Sequence, residues 1–382
     1  MLILDLADLH SMPTACVCSS LSADSGRSSP VSLTFVVSTG RCGSTMVSHL
    51  LKQHPEVLSL SEFVYALTSP YETINSIGGE KPWDLSMSGE EFWKPLSDPD
   101  PMSTEMINAG IPAPEFIYPS TGRFDIASGV PRICSHVLPL LSNDPDSLYD
   151  KLSAEVPTWP RRSTADHCRA LFSMLADITG RQVMVERTGG SLLSIQILRH
   201  HFPEARFILL HRNGPDCALS MSRHSGYRLD VMHVLAANSV FDIPENPSSA
   251  DIAAAASEEF NGLLIPPFDK QRFMSYPIPV AKFGYLWSYI TRSGISMLRE
   301  FPRNIWTSIK YEELVNAPRI PLTGMASFLG VSAPPQWLDW ACDFVDPGRA
   351  GSATAQLDPA ELAALRASCA PGSRALESIG LR

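Results

Sequence analysis

One segment constrains this chain more than any other. A short apolar run, Leu33–Val37, breaks into Ser38-Thr39-Gly40-Arg41-Cys42-Gly43-Ser44-Thr45 and then into a helical pattern over Met46–Gln53. The β-branched run reads as a buried strand. Gly40 and Gly43 let the backbone turn tightly, so that successive N–H groups point at one anion. The start of the following helix adds the positive end of its dipole. Taken alone, the loop is either such an anion cradle or a plain tight turn. A nucleotide kinase or ATPase would carry GxxxxGK followed by Ser or Thr. Here no lysine precedes Ser44 and the cation is Arg41, inside the loop, so Mg²⁺-dependent phosphoryl transfer is disfavoured.

The rest of the chain supplies the sheet to which this strand belongs. Further strands are expected at Val57–Leu60, Gln182–Glu186, Arg206–His211 and Ile305–Ile309. Helices are expected at Ser163–Thr179, Ser191–His201, Pro215–His224, Asp251–Phe260, Ala281–Glu300, Pro321–Leu329, Pro335–Phe344 and Pro359–Ala370. Strands alternating with helices predict an α/β fold with a mainly parallel, P-loop-type sheet flanked by helices. Residues 32–382 read as a single domain after a flexible tail, 1–31. Two Pro-rich stretches, near 67–160 and 240–280, read as insertions on the acceptor side, the first irregular and the second holding the alanine-rich helix at 251–260.

Composition narrows the function. The 382 residues carry a net charge of −10, which argues against a nucleic-acid partner while leaving room for a local basic pocket. The eight cysteines show no disulfide framework and no paired metal-ligand spacing, which suits a reducing, cytoplasmic setting. No apolar run reaches the length of a membrane span, and the N-terminus lacks the basic region of a signal peptide.

A second loop follows the strand at 206–211: Arg212-Asn213-Gly214-Pro215-Asp216, with Ser220 on the next helix. An arginine at the C-terminal end of such a strand faces the crevice where open α/β sheets bind ligands. The competing possibility is an Arg212–Asp216 pair with Ser220 on a solvated face. Beside the first loop, a paired anion site accounts for both segments.

These residues resemble the sulfotransferases that use 3′-phosphoadenosine 5′-phosphosulfate (PAPS). STGRCGST resembles the family's 5′-phosphosulfate loop in its arginine-containing form, and LLHRNGPDCALSMSRH its 3′-phosphate element, with Arg and Ser eight residues apart. HPEVLSLSEF, VERTGGSLLSIQILRHHFPEARFILLHR and IKYEELVNAP followed by ASFLGV resemble later family segments in the same order. Two departures stand out. Arg187-Thr188-Gly189 replaces the usual Lys-Thr-Pro, and VDPGRAGSATAQL lacks an aromatic often found in the loop that closes over the cofactor.

The resemblance implies transfer of a sulfuryl group from PAPS to a hydroxyl of a small-molecule acceptor, with 3′-phosphoadenosine 5′-phosphate (PAP) as product and no metal. The cradle would comprise Thr39, Gly40, Arg41, Cys42, Gly43, Ser44 and Thr45; Arg212 and Ser220 would hold the 3′-phosphate, and Arg349 would be a further contact. Arg41 and Arg187 are expected to stabilise the transferring group. Glu62 is the candidate base, with helix capping as its alternative role, and His224 competes with it. For Arg187 the alternative is an ion pair with Glu186. A P-loop nucleotide kinase, or a silent PAPS-binding protein, are the other functional readings.

Overall fold

In the computed structural model, residues 32–68, 83, 85–113, 115–240, 260–264, 266–346 and 350–381 are described. The tail 1–31, the alanine-rich helix expected at 251–260 (all but Phe260) and Arg349 lie outside them.

Seven strands occur among these residues: β1 Ser32–Ser38, β2 Val57–Ser61, β3 Ser86–Met87, β4 Arg162–Ser163, β5 Val183–Arg187, β6 Arg206–His211 and β7 Trp306–Lys310. Five form one sheet in the order β2-β5-β1-β6-β7, with every neighbouring pair parallel. The expected α/β fold is thus present, with all five sheet strands found within a residue or so of their predicted limits.

Side chains along these strands alternate between two apolar layers. Phe35, Val37, Leu58, Leu60, Met184, Phe207 and Leu209 enter one core. Val36, Val57, Val185, Ile208 and Leu210 enter the other. Both faces are covered by helices, which is why the strands read as continuous hydrophobic runs rather than alternating ones.

The chain leaves β1 through the helix Ser44–Lys52 and returns at β2, two positions away, with β5 filling the gap. On its other side β1 pairs with β6, Ser38 lying opposite Leu210. The order therefore reverses at β1. Loops 39–43 and 212–213 emerge side by side at the C-terminal edge, the place where open α/β sheets bind ligands.

The first insertion departs from expectation. Within 67–160, read as irregular, lie helices at Gly89–Ser97, Pro101–Asn108, Arg132–His136, Leu138–Leu141 and Pro145–Glu155. Prolines that look like breakers sit instead in first turns, where a missing N–H costs nothing. A capping box was also readable: Ser88 accepts from the Glu91 N–H, and the Glu91 carboxylate accepts from the Ser88 N–H. The helix expected at 191–201 is a 3₁₀ turn, Ser191–Ser194, leading into Ile195–His201. A helix not anticipated, Ser225–Val240, follows the helix Gly214–Ser222.

Candidate functional site

The first loop winds through an unusual run of left-handed residues: Gly40 at φ 74°, Arg41 at φ 56° and Gly43 at φ 88°. Glycine takes this conformation freely, whereas Arg41 is held there by its surroundings at a cost of about 1–3 kcal/mol. The Gly40 carbonyl is drawn inward by the Cys217 thiol, 3.1 Å away, and by the Thr39 hydroxyl at the same distance. Tyr227 donates to the Thr39 carbonyl at 2.9 Å. Gly43 stands at the N-cap of the Ser44–Lys52 helix without a side-chain cap, so the first-turn N–H groups face the loop's concavity. The Cys42 side chain is fully buried in the core, its thiol pushed up by burial.

The second loop closes directly on the first. Arg212 donates from Nη1 to the Arg41 carbonyl at 3.2 Å, with its guanidinium 4.4 Å from the centre of the Tyr311 ring. Arg41 donates from Nε to the Ser220 hydroxyl at 3.3 Å. A cavity of 270 Å³ lies between them, lined by Arg41, Gly43, Ser44, Thr45, Met46, Arg212, Ser220, Tyr311, Phe344 and Asp346. The cavity walls thus include Arg41, Gly43, Ser44, Thr45, Arg212 and Ser220 together. Asp216 is engaged elsewhere: its oxygens accept from the Gly351 and Ala353 N–H groups at 2.7 and 2.8 Å, anchoring the helix Ser352–Gln356.

Glu62 and Arg187, expected as separate catalytic groups, form a buried ion pair. Strand register sets it, because β2 lies beside β5 with Ser61 opposite Arg187. Arg187 Nη1 meets Glu62 Oε1, Nη2 meets the Ser61 hydroxyl, and Nε donates to Ser48 Oγ at 3.0 Å. The Gly189 N–H adds a bond of 3.1 Å to Glu62 Oε2. Glu62 takes a left-handed φ of 57° just before the helix Phe63–Leu67 and makes no side-chain cap to it.

Glu186 points to the opposite face of β5. It is fully buried, receiving the Thr188 hydroxyl at 2.6 Å and the Val64 N–H at 3.3 Å. Burial pushes its carboxyl from 4.5 up to about 7, against the lowering effect of those two bonds. The folded state holds this proton while the unfolded chain loses it. Stability is therefore expected to fall as pH rises from about 4.5 to about 7, and to stay at the lower value above that. Glu186→Gln should remove that fall, as read from urea midpoints near pH 5 and near pH 8. An unchanged slope would show that Glu186 is not its source.

His224 is also paired. Its Nε2 lies 2.6 Å from Oε1 of Glu115, a residue of the first insertion. The same oxygen is 3.7 Å from Arg41 Nη1. Burial pushes the Glu115 carboxyl up, but the hydrogen bond and charge of His224, with the Arg41 guanidinium, outweigh it and hold the group below the ordinary carboxylate range. His224 Nδ1 is buried and meets no partner among the described residues. Glu115, Tyr227 and Tyr311 were missed from sequence. Tyr311 sits within the YEEL segment already singled out, whereas Glu115 lies among prolines with no local signal.

No protein-family model matches the chain, and no curated protein does. Solved structures with similar folds are the sulfotransferase domain of the curacin biosynthetic pathway (12% identity, TM-score 0.49, covering 94% of this chain and 99% of that one) and that of the Synechococcus PCC 7002 olefin synthase (15%, 0.44, 96% and 99%). A sulfotransferase from Alicyclobacillus acidocaldarius also aligns, at 17% identity and TM-score 0.39 over 92% of this chain and 96% of that one.

Proposed function

We propose that this protein is a sulfotransferase, moving a sulfuryl group from PAPS to a hydroxyl of a small-molecule acceptor. The observation that carries the reading is the closure of the second loop on the first, with Arg212 on the Arg41 carbonyl and Arg41 on Ser220. One loop alone would suit many anions. Two joined loops with an arginine each suit a ligand bearing phosphates at both ends of a nucleoside. The residues fit such a donor: a glycine-rich turn that admits no Cβ at Gly40 or Gly43, uncapped N–H groups, hydroxyls at Ser44 and Thr45, and two guanidinium groups.

PAPS would supply an activated sulfuryl group on a good leaving phosphate. Residues 40–45 would hold the 5′ end, and Arg212 and Ser220 the 3′-phosphate. Arg41 would bind the transferring group, its fork matching several oxygens of one anion. Arg187, aligned by Glu62, Ser48 and Ser61, would present the fixed dipole of a neutral pair at the strand edge, so that little reorganisation is needed when charge develops.

Thermal melting with PAP, AMP and ATP tests the donor. Stabilisation by PAP well beyond that by AMP supports the two-loop site; preference for ATP with Mg²⁺ supports a nucleotide kinase instead. Arg212→Ala is expected to weaken PAP binding by about 2–5 kcal/mol in calorimetry, and unchanged affinity would remove Arg212 from the site.

A further inference from the structure

Beside Arg41 stands a carboxylate that the sequence motifs do not use. Glu115 is presented by a pinned stretch of the first insertion. His136 Nδ1 donates to its carbonyl at 2.9 Å, the Ile117 N–H donates to the Ser135 carbonyl at 2.9 Å, and the Ser225 hydroxyl donates to the Pro112 carbonyl. The side chain is about one-third exposed, with Oε1 shared between His224 Nε2 and Arg41 Nη1. Oε2 receives no hydrogen bond from another described residue.

Three acid–base groups therefore compete for the acceptor. Glu62 has both oxygens engaged by Arg187 and Gly189, in a side chain only 9% exposed. His224 has Nε2 on Glu115, and Nδ1 buried where a Cβ on Gly226 would lie 3.3 Å away. Glu115 alone of the three keeps an oxygen, Oε2, that no other described residue bonds, on a part-exposed carboxylate whose other oxygen lies 3.7 Å from the guanidinium that is to hold the transferring group.

We propose that Glu115 is the catalytic residue that receives the acceptor hydroxyl, with His224 as the positioning residue that holds it. This assignment rests on the sulfotransferase reading. Glu115 Oε2 accepts the hydroxyl's hydrogen bond and aims its oxygen at sulfur. As the new oxygen–sulfur bond forms, the bond from sulfur to the bridging phosphate oxygen breaks, its electron pair leaving with the phosphate, and the hydroxyl proton passes to Oε2. A weakly basic carboxylate is adequate here. If sulfuryl transfer resembles phosphoryl transfer in having a loose transition state, positioning counts for more than base strength. The carboxylate's charge also lies across Arg41 from the outer, sulfuryl anion, which PAP lacks, so removing that charge is expected to help PAPS more than PAP.

The test compares wild type with Glu115→Gln, using calorimetry with PAP and with PAPS, and PAP release from PAPS with water, ethanol or 2-naphthol as acceptor. Glu115→Gln should leave PAP affinity unchanged, improve PAPS affinity relative to PAP about three- to tenfold as the like charge disappears, and slow PAP release by about 100-fold or more. Glu115→Asp, which keeps the charge but withdraws the oxygen, should keep the wild-type affinity ratio and still release slowly. His224→Gln, which can donate to Oε1, should retain more activity than His224→Ala. Release by Glu115→Gln at the wild-type rate overturns the assignment, as does an unchanged affinity ratio. So does a wild type that binds PAPS yet releases no PAP above buffer with any of the three acceptors. A wild type that does not bind PAP sinks the sulfotransferase reading itself, and the assignment with it.

Discussion

Glu62→Gln or Arg187→Met, made singly, is expected to destabilise the protein by about 3–5 kcal/mol, the usual result of stripping one partner from a buried ion pair. The two side chains are 9% and 4% exposed, so the survivor has almost no water to turn to. Arg187 is the worse orphan. Its guanidinium would keep Ser48 and Ser61 as neutral partners but lose the one carboxylate that pairs with it among the described residues. The double replacement should cost clearly less than the sum of the two singles, because it removes both charges and their desolvation together. Denaturation midpoints for the four proteins measure this. Single changes that cost less than about 1 kcal/mol would show that water reaches the pair, and that strand register does not isolate it.

Gly43→Ala is expected to abolish stabilisation by PAP, which at a hundredfold excess over Kd would otherwise be worth about 2.7 kcal/mol. A Cβ on Gly43 would lie 2.4 Å from the Tyr311 ring, and the residue sits at φ 88°. Either the ring moves, taking with it the face on which Arg212 rests, or the loop unwinds and its N–H groups turn away. Gly40→Ala should behave alike, since its Cβ would fall 1.7 Å from the Tyr227 hydroxyl that braces the Thr39 carbonyl. The readout is the thermal shift with PAP beside the shift in the unliganded midpoint. A variant that keeps the wild-type PAP shift would mean that the ligand does not depend on this backbone shape.

Much of this architecture was legible in advance, for local reasons. The five sheet strands are apolar runs ended by turn chemistry, and the two anion loops carry their glycine, proline and arginine in short range. Arg41, Arg212 and Ser220 were named from their two strand-end loops together with the family resemblance, and the fold brings them together around one cavity. Asp216, the alternative partner for Arg212, caps a helix more than a hundred residues later, which spacing could not reveal. The helices of the first insertion escaped notice because they are short, and proline at a helix start looks, in sequence, like proline that stops one.

What the sequence determined by itself is the set of strands, the turns between them and the backbone freedom at Gly40 and Gly43, all of which depend on neighbours a few residues away. What the tertiary structure alone decided is which functional groups meet. Glu62 and Arg187 are 125 residues apart, and Glu115 and His224 are 109 apart. Their pairing follows from β5 lying between β1 and β2, and from the insertion folding back over the sheet's edge. Contacts at that separation depend on which elements pack side by side. That outcome belongs to the burial of both faces of the sheet as a whole, and no short stretch of residues encodes it.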